Sequence, residues 1–132
     1  MAAIDVAGPG PEQTQTVIIQ LSCSDLTTAI TAGTTKAYFR SPLAFTLTDV
    51  RASLLTAQTS GNIFTVDIND TGVSILSTKL TIDNNEKTSV TAATPAVISN
   101  TAIGNDDEIT IDVDQVGNGT AAGLIVTLIG YF

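Results

Sequence analysis

With 13 acidic residues against 5 basic ones and a net charge of −8, this chain of 132 residues has no clustered cationic surface to displace counterions from DNA or RNA. It contains no His, which removes Ser-His and Cys-His pairs, and its single Cys23 excludes an internal disulfide, so a hydrophobic core or other subunits must hold it together. The length suits one domain, and 22 Thr residues favour strands over helices.

Residues 1–16 differ in character from the rest. Gly8-Pro9-Gly10-Pro11 interrupts helix and central strand, and Glu12-Gln13-Thr14-Gln15 continues with polar residues. Two readings stand together here. One is a disordered terminus; the other is an extended arm that contacts a partner through Ile4 and Val6, with Pro9 and Pro11 keeping it extended. The start lacks a basic region followed by a long apolar one, so synthesis in a cytoplasm without export through a signal peptide is expected. No apolar run approaches the roughly 20 residues of a membrane span, so no membrane partner is expected.

Residues 17–132 read as one all-β domain. Val17-Ile18-Ile19-Gln20-Leu21 is a first strand. Residues 22–35 are ambiguous between a short helical turn capped by Ser24-Asp25 and ended by Gly33, and a Thr-rich loop. Residues 36–40 form a short strand stopped by Ser41-Pro42, and residues 43–54 a longer one whose apolar phase changes near Asp49, which predicts a bulge there. In residues 63–69 Phe64, Val66 and Ile68 point inward, and Asn69-Asp70-Thr71-Gly72 turns the chain into residues 73–76. Short strands follow at 79–82 and 96–98, with an edge segment at Ser89-Val90, and residues 100–107 form a loop.

The C-terminal hairpin organises the rest. Residues 108–116 alternate apolar and polar positions, as a half-buried strand does. After the loop at 117–123, residues 124–129 are apolar on both faces except at Thr127, which predicts a strand sandwiched on both sides and received by strands folded earlier. From this follows an expected oligomer contact through Leu124, Val126, Leu128, Tyr131 and Phe132. About eight or nine strands separated by turns fit an antiparallel β-sandwich of jelly-roll-like type with the extended N-terminal arm outside it.

Chemistry is sparse. Cys23 has no base nearby in sequence and reads as a small buried residue. Glu108, Asp112 and Asp114 share the polar face of their strand, which reads as solvated surface. Asp67-Ile68-Asn69-Asp70-Thr71-Gly72 opens like a calcium loop, but the position that needs a bidentate Glu is Thr78. Asn69-Asp70-Thr71 and Asn118-Gly119-Thr120 match the glycosylation pattern and read as turn sequences. No metal or cofactor is expected.

The runs at 39–54, 74–83, 109–117 and 128–130 resemble a β-sandwich domain of tailed-bacteriophage virion proteins, over about residues 17–132. The resemblance offers no catalytic residues. It implies a non-enzymatic structural protein that decorates and cements a capsid on its outer surface after assembly in the host cytoplasm. The implied partners are the major capsid protein and further copies in a homotrimer. The alternative it leaves is a tail or head fibre tip binding host-surface glycans.

Overall fold

The computed structural model describes residues 14–132, and apart from one 3-10 turn at Ser89–Thr91 its regular structure is entirely β. The strands are β1 (Thr16–Ser22), β2 (Gly33–Arg40), β3 (Phe45–Thr56), β4 (Phe64–Asp70), β5 (Val73–Ser74), β6 (Leu76–Thr78), β7 (Leu80–Ile82), β8 (Val97–Ile98), β9 (Ala102–Ile103), β10 (Glu108–Gln115) and β11 (Ala122–Tyr131). One sheet runs β1-β11-β3-β9 and the other β2-β10-β4-β5, with β7 also on β4 and a separate ribbon of β6 and β8. Pairing is antiparallel throughout. β1, β2, β3 and β4 alternate between the two sheets, as do β9, β10 and β11, while β5 and β7 stay beside β4.

Alternation produces the core. Leu124, Val126 and Leu128 of β11 and Val50, Ala52 and Leu54 of β3 face Phe64, Val66 and Ile68 of β4 and Ile109, Ile111 and Val113 of β10. Each large side chain buried this way contributes about 1.5–3 kcal/mol. The first strand pairs with the last along the whole of β1, from Thr16↔Tyr131 to Ser22↔Ile125. Gln15 and Phe132 then exchange backbone hydrogen bonds at 3.0 Å, so the last residues assigned to the arm already belong to the sheet.

The phase change near Asp49 is a bulge. Leu47 pairs with Gly130 and Asp49 with Ile129, leaving Thr48 as the extra residue, so that Leu47 and Val50 both turn inward. Asp49 Oδ1 accepts from its neighbour Val50 N at 2.9 Å.

Other expectations need correction. β11 is flanked by strands on both sides but packed on one face only, because Ile125 is 37 % exposed and Thr127 and Ile129 turn outward with it. β2 starts at Gly33, and Asp25 accepts from Thr27 N at 3.0 Å and Thr28 N at 2.7 Å without a helix following. Ser89-Val90 is a 3-10 turn, not a strand, and a short strand, β9, lies within the segment read as loop.

At the end of the sandwich away from the termini, buried Gln58 ties three loops together. Its Nε2 donates to Asn62 O at 2.5 Å and Asn84 Oδ1 at 2.8 Å, and its Oε1 accepts from Gly117 N at 2.8 Å. A Cβ at position 117 would stand 2.7 Å from Asn62 O, so glycine is required where these loops meet.

Candidate functional site

The two outer faces differ in chemistry. On β4 and β10 the outward positions are polar: Asp112 lies opposite Asp67, and Thr110 opposite Asn69. Asp67 is only 5 % exposed, yet it is paired. Its Oδ1 accepts from Ile68 N at 2.9 Å and from Ser74 Oγ at 2.6 Å, and Lys79 Nζ stands 3.8 Å from its Oδ2. Lys79 also donates to Asp114, and that hydrogen bond first, with the surrounding carboxylates after it, holds the Lys79 ammonium above its ordinary range. Asp112 accepts from Asn69 Nδ2 at 3.0 Å and from Thr35 N at 2.8 Å, which anchors a left-handed residue where β2 bulges.

Glu108, Asp112 and Asp114 therefore do share one face, as their alternation implies; Glu108 is exposed, with Arg40 Nη1 at 3.9 Å from its Oε2. Asp112 and Asp114 belong to a network with a cation already at its centre. The segment 67–72 is strand and turn, its Asp67 committed to Ser74 and Lys79. Asn69 is buried with its Nδ2 donated to Asp112, which takes it away from any glycosylating enzyme. Among the described residues no group of three or more acidic, Cys or His side chains is arranged to hold a metal.

The opposite face, on β1, β11 and β3, is close to neutral. Its rows are Ile18, Ile129 and Asp49; Gln20, Thr127 and Arg51; and Ser22, Ile125 and Ser53. The only charges in these rows, Asp49 and Arg51, neutralise one another at 3.0 Å. Tyr131 and the exposed Phe132 extend this surface to the end of the sandwich, where with Thr14, Phe45 and Ile103 they line a cleft of about 510 Å³.

Of the predicted contact residues, Ile4, Val6, Pro9 and Pro11 lie outside the described residues. Leu124, Val126 and Leu128 are 0 % exposed inside the chain's own core, so they cannot meet another subunit; the outward set is Ile125, Thr127 and Ile129. Tyr131 and Phe132 are at the surface as expected. The residues missed were Ile18 and Ile125. For Ile18 the signal was present, since it shares its phase with Thr16, Gln20 and Ser22 while Val17, Ile19 and Leu21 fill the other; for Ile125 it was not, since both phases of β11 are apolar.

Cys23 is buried and not poised as a nucleophile. Burial pushes the Cys23 thiol up to about 11, and a backbone hydrogen bond at Val126 offsets only part of this. Asp70 is held above the usual carboxylate range by burial first and by a hydrogen bond with Asp107 second, while the Thr71 hydroxyl, donating to its Oδ1 at 3.0 Å, pulls the other way.

Compared with known proteins, the chain matches no family model, no curated protein and no solved structure. Among the described residues no helix is long and apolar enough to cross a membrane.

Proposed function

We propose that the chain is a non-enzymatic structural protein of a bacteriophage virion, a homo-oligomer that binds the major capsid protein on the outer capsid surface and stabilises it. The observation that carries this reading is the asymmetry of the sandwich. One face is a charge-paired, Thr- and Ile-rich sheet surface suited to protein contact, and the other holds Asp67, Asp112 and Asp114 around Lys79 and favours solvent. A rigid, acidic knob with one neutral face suits attachment to a lattice without binding the nucleic acid inside it. The runs behind the phage resemblance supply β3, β7 and β10, the frame of both sheets.

The test is stoichiometry on purified virions together with rebinding of the purified protein to stripped capsids. Decoration predicts abundance comparable to the capsid protein and a rise in capsid melting temperature on rebinding. A trace component that leaves capsid stability unchanged would refute it.

A fibre tip reading draws support from Tyr38, 60 % exposed on the outer face of β2, directly opposite Thr110 and two residues before Arg40. An aromatic face ringed by hydrogen-bonding groups suits a sugar ring. Glycan-array binding lost in Tyr38→Ala would favour it.

A further inference from the structure

Among the described residues, β1 at the edge of the first sheet is the one long edge without protection. Its sequence Thr-Val-Ile-Ile-Gln-Leu-Ser has no charge, Pro or Gly, and its ladder with β11 runs without a register shift. The bonds joining Gln15 to Phe132, and Cys23 N to Leu124 O at 2.8 Å, show that the odd-numbered residues turn their backbone groups toward β11. Thr16, Ile18, Gln20 and Ser22 therefore turn theirs the other way, where no strand of the described residues pairs.

The other edges are blunted by the usual devices. β2 is bulged around Thr35 and carries Lys36 and Arg40; β9 has two residues; the edge made by β5 and β7 is broken and carries Lys79. At β1, by contrast, Ile19 and Leu21 face the core but are only partly buried, because the sheet stops beside them, and Ile18 is 63 % exposed.

We propose that β1 is a homodimer interface, covered by the β1 strand of a second copy in antiparallel pairing across a two-fold axis at Ile19. In this register Ile18 lies opposite the partner's Gln20 and Thr16 opposite the partner's Ser22, giving about eight backbone hydrogen bonds and one continuous sheet through both copies. Ile19 gains apolar cover from the partner's Ile19, and Leu21 from the partner's Val17. The partner is a second copy because the strand is complementary to itself: two chains each carrying −8 can approach closely only along an uncharged line, and β1 is one. The contact lies on β1, not on the buried side chains of β11, and its symmetry is two-fold where the phage resemblance implies three-fold. It is independent of a role on a virion.

The experiment uses the full chain in solution, measuring mass by sedimentation and following backbone amides by hydrogen exchange. The expected result is a species of twice the 13.6 kDa chain mass, with the Ile18 and Gln20 amides protected and losing protection on dilution. Gln20→Pro removes an N–H on the open side only and leaves the β11 ladder intact, so it should weaken the dimer on the order of a hundredfold while circular dichroism stays unchanged. Ile18→Lys should do the same through charge, and more strongly at low salt. A monomer at micromolar concentration, a trimer, or a dimer that survives both substitutions would overturn the proposal. A monomer with the same amides protected would also overturn it, assigning the edge to residues 1–13.

Discussion

Asp67 stands directly across the β4–β10 ladder from Asp112, two carboxylates opposed on one face with Lys79 as their shared cation. Directly opposed like charges destabilise a sheet, so the arrangement depends on that ammonium. Lys79→Met should cost about 1–2 kcal/mol, a figure already lowered for the screening that a partly exposed lysine receives. The double variant with Asp67→Asn should lose less than the sum of the single losses in urea titrations. Strict additivity would show that the three groups do not form a unit.

Asp70 gives the stability a pH dependence. Its folded-state proton affinity is raised by burial and by Asp107, so the folded chain holds this proton more tightly than the unfolded one. The resulting stabilisation is present below the ordinary carboxylate range and is lost as pH rises through the raised value. Asp70→Asn should therefore match the parent near pH 3 and melt a few degrees higher at pH 7. Parallel melting curves across that range would contradict the assignment.

The Cys23 thiol is buried and pushed up to about 11, so little thiolate exists at pH 8. A disulfide-exchange reagent should label the native protein orders of magnitude more slowly than the protein in urea. Rapid native labelling would place this thiol at the surface.

Gly130 passes close to the Thr46 carbonyl where the Thr48 bulge sets β3 against β11, and a Cβ there would lie 2.9 Å from Phe45 as well. With backbone on one side and a core aromatic on the other, neither neighbour can yield cheaply. Gly130→Ala should cost about 1–3 kcal/mol by overpacking. Gly119→Ala has open space around its Cβ and serves as the control, bearing only the strain of its positive φ. Equal losses for the two would remove close approach as the reason for Gly130.

How much of this was legible in the sequence depended on periodicity. Phe64, Val66 and Ile68, and Ile109, Ile111 and Val113, alternate with polar residues, and both strands face the core as their pattern requires. The bulge was legible too, because Leu47 and Val50 cannot share a face in a regular strand. In β11 the pattern failed: Ile125 and Ile129 are as apolar as Leu124 and Leu128, so composition could not say which set was inside. The network at Lys79 was equally hidden. Its members Asp67, Asp112 and Asp114 come from strands distant in sequence, and only the register of β4 against β10 brings them together.

The final prediction concerns residues 2–13. Gln15 is bonded to Phe132 in both directions at 3.0 Å, so the chain can be cut before Thr14 without opening the β1–β11 ladder. Deleting residues 2–13 should leave the melting temperature within about a degree, since no bond of the described sandwich depends on them. If they act as an arm on a capsid, several arms per oligomer multiply modest individual affinities. Retention of the truncated protein on capsids after repeated washing should then fall steeply while its oligomeric mass stays the same. Full occupancy by the truncated protein would move attachment to the sandwich itself, and Ile125→Asp on the neutral face of β11 would become the variant that releases it.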